Sequence, residues 1–495
     1  MANHFDSMKT TARKTAVSAI ILCLFIHTQG QNYQAIHGSP YAGSLGIYNN
    51  PASGIHSHDN WDITVLGVQS KSSSNGFSST KPLISLPQAN MYMSNGDKPR
   101  YIHGSQDLHL LNGRLKLNQR KAIAFGFNGR NYAHVNSKAF KFYDTISSFN
   151  SFLQFNRPAP SLGGTVVQHT WAEIYASYSQ IIRNTSLDQL SAGITFKAIR
   201  GVSGVFVQLE RLRFTETTRP GSSPSFVVTD PQGKYGYSSN YDRLKGNNSP
   251  NKNVNDFLNY TQGGFGVDIG IEYLLKNEYT PQYDDEDEVE YNWKIGVSIL
   301  DLGRNHFKYG TFSSEFNGVL TDVSEEQLEN KFTSPDDIED FYDSLKTVVQ
   351  QLQPLGADFY IWQPTRLVIN VDKPLIDDFS VNGEVSINFF SSRNKNHLHT
   401  RELNLLTLTP RWETGMLGVY LPIQFNTQGQ LWVGSAFKAG PLLIGVHDWR
   451  WLFSKNQVVN GGAYIAFVVR DFTFSSSGKT KRIKGMECPP AYRQW

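Results

Sequence analysis

Cysteine is almost absent: 2 residues in 495. Cys23 lies in an apolar run near the start and Cys488 lies near the end. No disulfide framework within a mature chain follows from that pair. Long apolar runs are missing as well, since nothing approaches the roughly eighteen continuous residues a spanning helix needs. Neither sign of charge dominates: Lys and Arg total 46, Asp and Glu 43, for a net charge of +3. That balance gives no electrostatic case for a nucleic-acid partner. No Gly-x-Ser-x-Gly elbow occurs. Ser475–Thr480 ends like a phosphate loop, but Thr473 stands where the motif needs glycine. His56/His58 and His397/His399 offer pairs, short of the three or four ligands of a zinc site. No cofactor or metal is expected, and the reading is non-enzymatic.

What is present begins with a leader. Lys9, Arg13 and Lys14 precede the apolar run Ala16–Ile26, and Gly30-Gln31 follows closely. This is the pattern of a secretory signal peptide over 1–30. Beyond it, aromatic residues make up 13% of the chain, and period-two alternation recurs. In Gly263–Gly303, Phe265, Val267, Ile269, Ile271 and Tyr273 alternate with Gly266, Asp268, Gly270 and Glu272. Trp293, Ile295, Val297 and Ile299 then alternate with Asn292, Lys294, Gly296 and Ser298. One face is apolar; the other carries charges and glycines. That suits a wall with lipid outside and a polar lumen inside.

Similar runs, from Trp61–Gln69 to Gly461–Thr473, number about fourteen, with twelve to sixteen allowed by uncertain boundaries. The expected fold is all-β: a transmembrane antiparallel barrel over 61–474, preceded by a segment over 31–60 that is rich in Gly, Ser and Asn and has little strand character. A periplasmic tail over 475–495 follows. A soluble β-sandwich is the competing architecture. Long connections near 71–105, 133–170, 202–261 and 304–364 are expected outside the cell, and the acidic turn 284–290 in the periplasm. One helical loop is expected over 334–353. Ser334-Pro335-Asp336-Asp337 supplies its cap, and Ile338, Phe341, Leu345, Val348, Val349 and Leu352 share a face.

Tyr48-Asn49-Asn50-Pro51-Ala52-Ser53 resembles the N-terminal Asn-Pro-Ala motif of FadL-like outer-membrane proteins. Gly266–Tyr273 with Ser298–Gly303 is similar to a central hairpin of the PorV and PorQ branch, and Pro364-Thr365-Arg366-Leu367 to its next strand. The whole resembles an uncharacterised family of outer-membrane barrels from bacteria that use type IX secretion. The resemblance implies a bacterial outer-membrane location, and the even count of about fourteen strands puts both mature ends on the periplasmic side. It implies a channel, transporter or binding component for hydrophobic ligands. The alternatives are an accessory subunit of a type IX secretion or surface-assembly complex and, as a minor reading, an outer-membrane hydrolase. Outer-membrane lipid is the expected partner, with hydrophobic small molecules or secretion-system proteins beside it. The resemblance also implies that the N-terminal segment 31–60 is a plug in the lumen, with Asn50, Pro51 and Ala52 as the candidate plug motif. Asp268, Glu272, Lys294 and Glu384 are candidate lumen residues, lining a polar path or cross-linking a filled interior.

Overall fold

Because side chains alternate along a strand, each run described above puts its polar set on one side of a sheet. A sheet closed on itself then hides that set. The computed structural model describes residues 33–471 apart from 80–90, 158–160, 218–223, 245–247, 277–290, 321–322, 333–336, 377, 391–396 and 454–456. The leader, the acidic turn, Ser475–Thr480 and Cys488 therefore lie outside the described residues.

The chain forms a closed antiparallel barrel of fourteen strands. They are β1 (Trp61–Ser74), β2 (Tyr101–Asn118), β3 (Lys121–Ser137), β4 (Leu162–Asn184) and β5 (Asp188–Leu212). Next come β6 (Gln262–Lys276), β7 (Tyr291–Lys308), β8 (Arg366–Ile376), β9 (Phe379–Asn388) and β10 (Leu405–Glu413). Two interrupted strands follow, β11 (Leu417–Tyr420 with Ile423–Asn426) and β12 (Leu431–Val433 with Ser435–Ala439). β13 (Leu442–Val446) and β14 (Asn460–Arg470) complete the ring. β14 closes on β1, from Asp62 opposite Arg470 to Ser73 opposite Asn460.

The outward set is apolar and exposed: Ile174, Phe196, Ile269, Ile295, Phe437 and Ile465 represent it around the ring. A water-facing sheet would not show such a continuous apolar belt; lipid is its natural solvent. The inward set is buried and polar, including Asp62, Asp107, Glu173, Lys197, Asp372 and Arg411.

The connections 75–100, 138–161, 213–261 and 309–365 all lie at one end, opposite the tight turns 119–120 and 185–187. β4 and β5 have 23 and 25 residues, well beyond the roughly 9–11 a bilayer requires. Their surplus length rises past the belt at the loop end. There β5 pairs with Gln232–Tyr237, which pairs with Ser314–Val319, which pairs with Val349–Pro354. Of the loop helices, α3 (Glu325–Phe332) and α4 (Ile338–Lys346) pack on this annexe sheet, while α1 (Phe149–Asn156) and α2 (Pro250–Asn259) lie in other long connections.

Two expectations need correction. Helical structure is spread over several loops rather than one, and the expected helix 334–353 is shorter. α4 starts after the Asp337 cap, whose carboxylate accepts the Asp340 N–H, and ends at Lys346. Val349 and Leu352 then lie on a strand. The apolar spacing was real but served two elements, because Val348 and Val349 pack with Leu345 and Tyr235 against the same annexe core.

Candidate functional site

The interior is crossed by the N-terminal segment from Tyr33 to Asn60. Its short 3-10 turns, Gln34–Ile36, Gly43–Tyr48 and Pro51–Ile55, are tied to strands on opposite sides of the ring. On one side Gln34 and His37 Nδ1 meet Glu384 on β9 at 3.2 and 2.7 Å. Ser39 donates to Glu413 on β10, and Lys294 on β7 donates to the Gly38 carbonyl at 2.5 Å. On the other side Arg114 on β2 donates to the Gly54 and Asp59 carbonyls and pairs with Asp62 at 2.6 Å. Tyr33, Ile36 and Leu45 pack on Tyr420, Leu443, Tyr464 and Val468, the apolar inner wall of β11–β14.

The Asn50-Pro51-Ala52 turn has a built seat. Asn50 Oδ1 accepts the Ala52 N–H at 2.9 Å, an N-cap, and Pro51 takes the first position, where a missing N–H costs nothing. Asn50 Nδ2 also donates to the Ile271 carbonyl at 2.9 Å. The seat is a row of inward glycines, since Gly193 on β5 lies opposite Gly270 on β6. A Cβ at Gly193 would come within 2.5 Å of Ala52 N and Pro51 O. We expect Asn50→Ala to cost about 1–2 kcal/mol through the lost cap and bond. The urea midpoint of the folded barrel reports it; no change would mean the turn is held by packing alone.

Beyond the segment lies a belt of charge. Asp301 on β7 is its centre. A bulge makes Leu300 and Asp301 both point inward, with Val267 opposite Leu302 but Ile269 opposite Ile299, and Asp301 takes φ 58°. Its carboxylate accepts from Arg130 at 2.5 and 3.1 Å, Lys197 at 2.8 Å and Arg366 at 3.1 Å. Lys197 also sits 2.7 Å from Asp268, and Arg130 2.8 Å from Asp107. Gln69 donates to Asp107, and Arg130 lies 3.8 Å from Glu173. One side-chain network therefore joins every strand from β1 to β8. Arg411 on β10, held by Asp372 and Glu413, forms a second centre under the segment.

All four candidate lumen residues are buried inside. Asp268 belongs to the charged belt; Lys294 and Glu384 hold the N-terminal segment. Glu272 stands apart, 3.7 Å from His56 Nε2 with its Oε2 unbonded among the described residues. The larger residues of the network, Arg130, Asp301, Lys197 and Arg366, were not legible as candidates. Asp301 is hidden by its bulge, which places it out of phase with Ser298. The others appear in sequence only as scattered charges on different runs. His399 Nδ1 faces the His397 carbonyl, and His56 Nε2 faces Ser191 Oγ, so neither histidine pair converges on a common point.

A family model described as "Family of unknown function (DUF5723)" matches residues 44–446. The chain belongs to that family. The match begins inside the N-terminal segment and ends at β13, so it takes in both the segment's Asn-Pro-Ala turn and the charged belt. No curated protein matches the sequence. Among solved structures the chain is similar to the toluene transporter TbuX of Ralstonia pickettii. Identity there is 13%, over 90% of this chain and 99% of that one, with a TM-score of 0.39. It is also similar to a FadL homologue of Pseudomonas aeruginosa, at 11% identity over 89% and 97% of the two chains, with a TM-score of 0.38.

Two further features lie in the wall and at the loop end. The β1–β2 ladder is bridged only at its ends, Trp61 opposite Leu115 and Ser74 opposite Ile102. Between them the strands run side by side as a seam. Its inner lip is closed by the Gln69–Asp107 bond and by Tyr33, whose N–H donates to Gln69. Its outer lip is apolar, with Val65, Leu66, Val68 and Leu111 exposed. At the loop end, Phe140, Phe142, Phe149, Phe152 and Met93 line an open cleft of about 420 Å³, with Glu329 on its wall.

Proposed function

We propose that this member of the family is an outer-membrane channel or binding component for hydrophobic ligands. The N-terminal segment is its plug, and the β1–β2 seam is its opening toward the bilayer. The seam carries the reading. A barrel wall stays shut through its ladder hydrogen bonds. Here they lapse between adjacent strands whose outward side chains are apolar. An apolar ligand leaving there would meet lipid rather than water.

The seam can be locked. Val68 and Leu108 lie on the shared register that joins Trp61 to Leu115, so cysteines at both, in a Cys488→Ser background, are positioned to cross-link. We expect cells carrying Val68→Cys/Leu108→Cys to lose uptake of an apolar aromatic probe when oxidised and to regain it on reduction. Equal uptake in both states, with the cross-link confirmed by mass, would remove the seam from the path.

A second reading, service as a partner subunit in secretion or surface assembly, has one observation in its favour. Val349–Pro354 ends the annexe sheet with no strand on its other side among the described residues. Such an edge can accept a strand from another protein. Pull-down from detergent-solubilised membranes separates the two: a stoichiometric protein partner supports the subunit reading, and a bound apolar molecule alone supports the channel.

A further inference from the structure

Between β9 and β10 the chain dips into the mouth of the barrel as a strap. His399, Thr400, Glu402 and Leu403 are buried there, and residues 400–404 have no regular structure. On its own side of the ring the strap is firmly held. Leu398 and His399 bridge to Ile361 and Trp362, on the short strand Asp358–Trp362 that pairs with the end of β7. Asn388, the last residue of β9, accepts the Glu402 N–H at 2.9 Å and donates to the Glu402 carbonyl at 2.6 Å. Leu403 packs with Trp432 of β12.

Across the lumen the contacts are fewer and longer. Thr400 Oγ1 lies 3.2 Å from His169 Nε2 on β4. Glu402 Oε2 lies 3.9 Å from Lys71 Nζ on β1 and 3.7 Å from His103 Nε2 on β2. These three strands stand on the far side of the ring from β9 and β10. Both Glu402 distances exceed a hydrogen bond. Lys71 Nζ, His103 Nε2 and Glu402 Oε1 have no hydrogen bond among the described residues, and Lys71 is fully buried. Burying charge without a close partner is costly, so these groups gain by meeting water. The strap is therefore tight on one side and loose on the other, which is how a gate differs from a fixed filling. Beneath it, Ser105 and then Asp107 of the charged belt follow His103 down the inner side of β2.

We propose that residues 397–404 are an outer gate of the lumen. Its hinge side is Asn388 with the Ile361–Trp362 bridge. Its latch is Glu402 against Lys71 and His103, with Thr400 on His169 beside it. A ligand entering from the long-connection end displaces the latch, and water then solvates the freed groups. The inference rests on reading this protein as a membrane barrel with that end outside the cell.

The test reads access to Ser105, the next inward residue below the latch. The full chain carrying Ser105→Cys/Cys488→Ser, with folding verified by heat-modifiable migration, is treated in intact cells with a membrane-impermeant maleimide. Slow labelling is expected with the strap unaltered. Adding Glu402→Gln, which keeps shape and removes the charge, should speed it about tenfold, the ratio that ~1.4 kcal/mol taken from the closed state gives. Thr400→Val, which cuts only the contact to His169, should also speed it. Gly356→Cys, in an exposed part of the loop end, should label quickly in every background. Rates at Ser105→Cys that neither substitution moves, or that match Gly356→Cys from the start, would overturn the gate. Absence of labelling at Gly356→Cys would instead overturn the outward orientation beneath it.

Discussion

Asp301→Asn is expected to destabilise the barrel by about 3–5 kcal/mol, the range for breaking a buried ion pair. The replacement keeps shape, and asparagine tolerates the φ of 58° that Asp301 adopts, so charge is the main change. Arg366 loses its ion-pair partner among the described residues, and Arg130 and Lys197 are left converging on a neutral amide. Loss of the folded band in a urea series would measure it. Asp268→Asn should cost less, since Lys197 keeps Asp301. A wild-type midpoint for Asp301→Asn would mean that water, not the carboxylate, already screens the three cations.

Gly193→Val is expected to open the barrel. Its side chain would occupy the space of the Pro51–Ala52 peptide, and backbone cannot swing aside as a flexible side chain can. Overpacking of this kind costs about 1–3 kcal/mol. The segment has a cheaper response than straining fourteen strands, which is to leave its seat. We expect resolvable channels in planar bilayers where the wild type shows none, and faster proteolysis between Tyr33 and Asn60. Gly104→Val, where a Cβ meets nothing within 4 Å, should change neither. Silent bilayers with Gly193→Val would mean that the segment is held by Glu384, Glu413 and Arg114 strongly enough to deform the wall instead.

These two expectations draw on different kinds of information. The alternation of Phe265–Tyr273 and Trp293–Ile299 is a local property, and one apolar and one polar face follow from period two alone. It puts Asp268, Glu272, Lys294 and Glu384 on the polar face, and the side chains of all four are buried. The glycines 193 and 270 could be seen on the polar side of their strands, though not what they accommodate. The helix near 338 was legible in its apolar spacing, but the spacing could not show that Val349 had passed to a strand of the annexe.

The sequence by itself determined the class of wall: strand after strand with one apolar side, too short in hydrophobic run for helices and without thiols for a disulfide frame. Tertiary structure alone decided what fills it. Asp301 meets Arg130, 171 residues earlier, and Glu384 meets His37, 347 residues earlier. No periodicity encodes such partners, because they depend on the register of each strand on the next around a closed ring. A single bulge, as at Leu300–Asp301, reassigns which side chain faces in.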